Sequence, residues 1–226
     1  MNYSIAIDGP AGAGKSTIAK LIARRIQFIY VDTGAMYRAI ALYFLRKGID
    51  GQDRESIAKE CPDIKVSLSY DEEGKQQVLL NGENVTPYIR DEEVGKMASV
   101  TAAIPEVRAA LLDLQRDMAR TADILMDGRD IGTHVLPDAS LKIYLTASSA
   151  VRARRRYDEI IEKGESCDLA QIEKDIIERD RQDMNREIAP LRQAEDAVLI
   201  DSSEMSIEEV ADAVIAEFHK IKTDDR

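Results

Sequence analysis

Residues 9 to 17 read Gly-Pro-Ala-Gly-Ala-Gly-Lys-Ser-Thr and follow directly on the short apolar run Tyr3 to Ile7. The spacing G-x-x-x-x-G-K-[ST], entered from a strand and leaving into a helix, fixes the local fold at once. Gly9, Gly12 and Gly14 permit backbone conformations that a Cβ would block, so successive N–H groups can converge on an anion. A helix from Lys15 to about Ile26 directs its positive end at the same point. Lys15 then serves as a mobile cation for the outer phosphates. Gly9, Pro10, Ala11, Gly12, Ala13, Gly14, Lys15, Ser16 and Thr17 are therefore expected to cradle a nucleoside triphosphate.

A loop of this kind needs a parallel sheet behind it. Five short apolar segments supply the strands: Ser4 to Ile7, Phe28 to Val31, Ile124 to Met126, Leu141 to Leu145 and Val198 to Ile200. Helical sequence separates them, which predicts an α/β fold with buried parallel strands and helices on both faces. Ligands in such sheets gather at the carboxyl ends of the strands. Those ends carry Asp8-Gly9, Asp32-Thr33-Gly34 and Asp127-Gly128-Arg129-Asp130.

One region breaks the alternation. Ile64, Val66, Leu68 and Tyr70 alternate with Lys65, Ser67 and Ser69; a charged turn follows at Asp71 to Gly74, then Gln76 to Leu80 and the hairpin pair Asn81-Gly82. This predicts an antiparallel insertion of two or three strands at about residues 62–90. The stretch from Asp91 to Thr121 reads as helical, with a break before Pro105.

Composition removes several classes. The net charge of −11 lacks the basic footprint of a broad nucleic-acid binder. No apolar run approaches the ~20 residues of a membrane span, and the early strand-like sequence leaves no room for a signal peptide. Cys61 and Cys167 lack metal-ligand spacing and read as free thiols of a reducing cytoplasm. With only His134 and His219, zinc chemistry and a Ser-His-Asp triad have no basis.

Four constellations remain. Asp32 to Arg38 joins a strand end to a helix start, where Asp32 or Thr33 can cap the helix and Arg38 can reach an anion. Asp127 resembles the strand-end carboxylate that helps hold Mg²⁺ in phosphate-loop proteins. Between Asp168 and about Glu187, an apolar stripe of Leu169, Ile172 and Ile176 continues as Arg179, Asp183 and Arg186, which predicts a helix whose buried face turns charged. Arg152, Arg154, Arg155 and Arg156 would repel one another unless anions arrive, so they are expected to clamp phosphate. Gly164 beyond them suits a mobile lid at 150–167.

Together, Gly9 to Thr17, Asp-Thr-Gly-Ala-Met-Tyr-Arg at 32–38, Asp-Gly-Arg-Asp at 127–130, the arginine-rich segment, and Glu-Arg-Asp…Asn-Arg…Ala-Pro-Leu at 178–191 resemble the bacterial cytidylate kinases. The likeness runs nearly end to end. It implies a single P-loop kinase domain over 1–226, with a five-stranded parallel sheet, a monophosphate-binding β insertion at 62–90 and a helical lid. It implies transfer of the ATP γ-phosphate to CMP or dCMP with Mg²⁺. On matching positions, Arg38, Arg129 and Arg186 would hold the CMP phosphate. Ser99, Arg108 and Asp130 would read the cytosine, Arg179 and Asp183 the sugar, and Thr33 and Tyr37 would join the acceptor site. Lys15, Arg129, Arg152, Arg155 and Arg156 would act on the transferred phosphoryl group. Ser99 and Arg108 by themselves read as ordinary helix-surface residues.

Cytosine chemistry agrees with that allotment. Its amine donates to a carboxylate such as Asp130, whereas its N3 and O2 accept from Arg108 and Ser99; uracil reverses the pattern. For the metal, Ser16 is the first candidate. Many monophosphate kinases carry Gly at that position, so Asp127 and Asp32 stand beside it. The expected protein is a cytoplasmic monomer acting on small molecules, with no nucleic-acid or membrane partner. A GTPase-type switch would need an Asn-Lys-x-Asp guanine reader, which the sequence lacks.

Overall fold

The computed structural model describes residues 2–224. β1 (Ser4–Asp8) leads into α1 (Lys15–Ile26), and β2 (Ile29–Asp32) follows. β6 (Ile124–Gly128), β7 (Leu141–Thr146) and β8 (Val198–Asp201) complete a five-stranded sheet in the order β2-β6-β1-β7-β8. β1 runs parallel to β6 and β7, and β7 runs parallel to β8. The register sets Ile7 opposite Asp127 and Asp8 opposite Gly128, so the polar strand ends meet at one edge of the sheet.

The described chain falls into two compact units. One comprises the chain up to Tyr30 and from Asp123 onward; the other is Val31–Ala122. In the first, the continuous apolar strands predict burial on both faces. Ile5, Ile7, Leu125, Ile143 and Leu145 pack with Ile18, Ala19 and Ile22 of α1, and with Val210, Ala211, Val214 and Phe218 of α8 (Ile207–Asp224). Phe218 meets Tyr3 and Phe28 edge-on. The outer strands are less enclosed than their sequence suggests: Ile29 and Leu199, on the two strands at the ends of the order, are exposed. α6 (Ser149–Glu162) and α7 (Leu169–Met184) pack against each other in the same unit.

In the second unit, α2 (Thr33–Arg46) packs on α4 (Glu92–Thr101) and α5 (Pro105–Thr121) through Met36, Ile40, Phe44, Val94, Val107 and Leu111. The break before Pro105 is present, and Pro105 opens α5, where its missing N–H costs nothing. β3 (Val66–Tyr70), β4 (Gln76–Leu80) and β5 (Glu83–Asn84) form the antiparallel three-stranded sheet. Asn81 and Gly82 both adopt positive φ, 49° and 88°, as a two-residue hairpin between Leu80 and Glu83 demands. Beyond the sequence reading lie a short α3 (Arg54–Glu60), a 3₁₀ turn at Cys61–Asp63 and a π-helical turn at Ile131–Val135. α7 also stops at Met184, short of the expected Glu187.

Candidate active site

The phosphate loop is built against the sheet at very close range. A Cβ on Gly9 would lie 1.9 Å from the Leu145 carbonyl oxygen, so only glycine fits, and its φ of 149° is one that side chains resist. Gly12 and Gly14 also take positive φ, 74° and 85°. Gly14 closes the loop as the left-handed N-cap of α1, whose first turn holds no acidic residue to compete with an anion. Lys15 is buried and donates through Nζ to the Pro10 carbonyl at 2.7 Å.

Ser16 Oγ donates to Asp127 Oδ2 at 2.8 Å, and Tyr30 Oη donates to Asp127 Oδ1 at 2.8 Å. A hydroxyl and a strand-end carboxylate, two hard oxygen donors at the mouth of a phosphate loop, suit Mg²⁺, which keeps most of its shell for phosphates and water. Asp32 lies at the start of the second unit. It caps α2 by accepting from Ala35 N at 2.8 Å, and pairs with Arg90 at 2.8 Å and Arg38 at 3.3 Å. Burial alone would raise its pKa, but Arg38 and then Arg90 overcome this and hold the carboxyl below its usual range. Both oxygens are so engaged that Asp32 serves as a cap and an anchor for two arginines.

Asp8 carries a role that the sequence did not assign. Its carboxylate accepts from Ile131 N at 2.8 Å and Gly132 N at 2.7 Å, tying the loop after β6 to the strand that enters the phosphate loop. Burial pushes its pKa up to about 7, against those two hydrogen bonds, with Asp130 adding to the rise. Lys15 moves the other way, pulled down to about 7 by burial and then by Arg129. The signs are opposite on the two limbs. Asp8 loses stability as pH rises from its unfolded value to about 7, because the unfolded chain ionises first. The cost of burying Lys15 is relieved between about 7 and its unfolded value of 10.5, where the unfolded chain holds the extra proton.

Asp183 is the centre of a second charged group in the same unit. Its side chain is 2% exposed, and it accepts from Arg129 Nε at 2.8 Å and from Arg186 NH2. Burial would raise its pKa, yet Arg129 and Arg186 outweigh this and hold it low. The expected charged stripe is only partly realised. Asp180 and Asp183 are the buried residues of α7, while Arg179 is exposed and Leu169, Ile172 and Ile176 are at most half-buried. Arg186 lies beyond the helix end and reaches Asp183 from the following loop. There Ala189 takes a φ of 49° before Pro190, and Leu191 N donates to the Asp183 carbonyl at 2.9 Å.

The four arginines of α6 separate into two pairs. Arg152 is buried and donates to the carbonyls of Ala147 and Ala11 at 2.9 and 2.8 Å, besides pairing with Asp180 at 2.7 Å. Arg155 donates to the Ser202 carbonyl at 2.7 Å. Arg154 and Arg156 are exposed and pair with Asp158 and Glu159 one turn along. Carboxylates for Arg152, Arg154 and Arg156 are therefore built into the chain, so their mutual repulsion does not by itself require incoming phosphate.

The second unit gathers its own set. Arg108 is buried, its guanidinium 5.7 Å from the Tyr37 ring centroid and donating to the Ala102 carbonyl at 3.3 Å. Ser99 Oγ is enclosed and makes no hydrogen bond among the described residues. Neither is the surface residue its sequence context suggests. Thr33 is buried at the start of α2.

A family model described as cytidylate kinase matches residues 5–220. The chain belongs to the cytidylate kinase family. It is 50% identical over 220 residues to "Cytidylate kinase" of Caldicellulosiruptor bescii, covering 96% of each chain. It is 48% identical over 221 residues to "Cytidylate kinase" of Exiguobacterium sp. strain AT1b, covering 98% of each. A solved structure, an uncharacterized protein from Eubacterium ventriosum, aligns with a TM-score of 0.54 at 11% identity over 96% of this chain and 98% of that one, which shows a shared fold alone. As a member of this family, the chain has the P-loop kinase fold. Tyr30 and Arg90 went unremarked in the sequence, and Asp8 and Asp180 appeared there only within a strand end and a motif, with no role of their own. Only Asp180 carried a signal, three residues before Asp183 on one helix face.

Proposed function

We propose that the protein transfers the γ-phosphate of ATP to CMP or dCMP, giving the diphosphate and ADP. The observation that carries this is the cytidylate kinase match over residues 5–220, in a chain whose Ser16 and Asp127 meet at a glycine-built phosphate loop. The loop from Gly9 to Thr17 takes the donor. Ser16 and Asp127 hold Mg²⁺, which when bound neutralises charge on the donor phosphates. Among the described residues no cluster of three His, Cys, Asp or Glu side chains could hold a metal, and Mg²⁺ characteristically takes one or two protein oxygens beside its phosphates.

For the acceptor, Arg38, Arg129 and Arg186 bind the monophosphate, and Arg179 and Asp183 contact the sugar. Tyr37 positions Arg108, and Thr33 joins the acceptor residues. Asp130, Arg108 and Ser99 read the base. No general base is required, because the nucleophile is already a phosphate anion. The protein supplies position, charge neutralisation and exclusion of water, since a wet site would hydrolyse ATP. The segment at 150–167 acts as the lid, with Arg155 and Arg156 directed to phosphate on closure, and the β insertion at 62–90 belongs to the acceptor side. Among the described residues no helix is long and apolar enough to cross a membrane.

Base reading is tested with two variants. Asp130→Asn is expected to narrow the preference for CMP over UMP by about tenfold or more, by weakening the acceptor that faces the cytosine amine. An unchanged preference removes Asp130 from base recognition. Ser99→Ala is expected to leave unfolding within about 0.5 kcal/mol of the parent, since no internal bond is lost, while raising the KM for CMP several-fold. A destabilised variant with normal KM makes the hydroxyl structural.

A further inference from the structure

The phosphate loop is held from outside at one residue. Ala11 N donates to Asp180 Oδ1 at 3.3 Å, while the Ala11 carbonyl accepts from Arg152 NH1 at 2.8 Å. Arg152 and Asp180 are themselves joined at 2.7 Å, with side chains 7% and 11% exposed. Arg152 Nε is fixed on the Ala147 carbonyl at 2.9 Å. Two buried, opposite charges from α6 and α7 thus grip both backbone polar groups of a single loop residue. Gly12 follows at positive φ, and a Cβ there would stand 3.4 Å from Arg152 Cβ.

We propose that Arg152 and Asp180 are positioning residues for the donor, fixing the orientation of the Ala11 peptide groups so that the N–H groups after it converge on the triphosphate. Arg152 then acts through the loop backbone and not by touching phosphate. The proposal rests on the reading of Gly9 to Thr17 as the donor site.

Three features separate this from an ordinary core ion pair. Arg152 Nε and NH1 donate to the Ala147 and Ala11 carbonyls, and NH1 also lies 2.7 Å from Asp180, so the guanidinium is tied to the protein at two of its three nitrogens. Each Asp180 oxygen has its own partner, one the loop N–H and the other the guanidinium. A buried ion pair also gives little net stability over an apolar pair of similar volume, whereas an apolar pair cannot hold a peptide N–H and a carbonyl at once. One turn further along α7, Asp183 orders Arg129 and Arg186. The same helix face therefore carries one carboxylate for the phosphate loop and another for the arginines assigned to the acceptor.

The test is the double variant Arg152→Met with Asp180→Leu, which removes both charges while keeping volume, alongside Asp180→Asn and Lys15→Ala. The readouts are KM for ATP, KM for CMP, kcat and the thermal midpoint. Expected for the double variant is a KM for ATP raised about tenfold or more, with the KM for CMP within about twofold and the midpoint shifted by only a few degrees. Asp180→Asn, which keeps an acceptor for Ala11 N, should show the same split more weakly. A folded double variant with an unchanged KM for ATP overturns the proposal, as does a kcat that falls by more than the KM for ATP rises, which would return Arg152 to direct phosphate contact. If the double variant does not fold, Asp180→Asn decides alone: equal changes in both KM values, or none, overturn it. Lys15→Ala separates the two levels. An effect there without one in the clasp variants removes the clasp and leaves the donor site standing, while no effect in Lys15→Ala removes the donor site itself.

Discussion

Replacing Lys15 by methionine is expected to lower kcat by about two to three orders of magnitude, the loss that follows removal of a preorganised charge from a transferring group. The fold should survive. Lys15 is buried with its Nζ on the Pro10 carbonyl, and burial, then Arg129, disfavour its charged form and pull its pKa down to about 7. Methionine keeps the aliphatic stem and relieves that cost, so unfolding free energy should be equal or higher. A second signature distinguishes loss of the cation from loss of shape. Bringing a polyphosphate beside Lys15 raises its pKa, so ATP binding near pH 8 takes up a proton that the unliganded lysine largely lacks. Calorimetry in buffers of different ionisation enthalpy reads that uptake, and Lys15→Met should reduce it sharply. A variant that retains kcat within about tenfold would show that charge at this position does not stabilise the transferred phosphoryl group.

Asp183→Asn is expected to destabilise the protein by about 3–5 kcal/mol, because it leaves Arg129 and Arg186 without the buried charge that orders both. Activity should fall too, since those guanidiniums would lose their fixed direction. The pH dependence carries the sign. Arg129 and Arg186 hold the Asp183 pKa below its unfolded value, so its contribution is complete above that unfolded value and is lost as pH falls through the folded one. The variant lacks this group, so the gap between the two proteins should close in acid. Urea unfolding at several pH values measures it. A cost below about 1 kcal/mol at neutral pH, or a gap independent of pH, would mean that the three residues do not form a coupled unit.

Local chemistry made some elements legible in the sequence. The phosphate loop, the hairpin at Asn81-Gly82 and the α5 start at Pro105 each depend on one or two residues with unusual backbone demands, and each lies where that chemistry places it. The five strands were visible because burial on both faces requires continuous apolar runs, but the exposure of Ile29 and Leu199 was not, since position in the strand order is a property of topology. The site was read less completely. Ser16 and Asp127 meet as the motif and strand end suggest. Asp8 could not be recognised, because its partners are backbone N–H groups 123 and 124 residues away, brought near by register alone. The repulsion within the arginine run was overstated for a related reason. Its counter-charges include Asp180, some 28 residues downstream in another helix, so counting charges along α6 overstated the repulsion. The charged stripe of α7 failed at Arg186 because the helix ends at Met184, and a face argument holds only while the helix continues.

The most direct test of the account is the initial rate of ADP formation from ATP and Mg²⁺ with CMP, dCMP, UMP, AMP, GMP, shikimate and water as alternative acceptors. Rapid turnover is expected with CMP and dCMP, slow turnover with UMP and negligible turnover with the rest, water included. Turnover confined to another acceptor, or ATP hydrolysis that needs no acceptor at all, would contradict it.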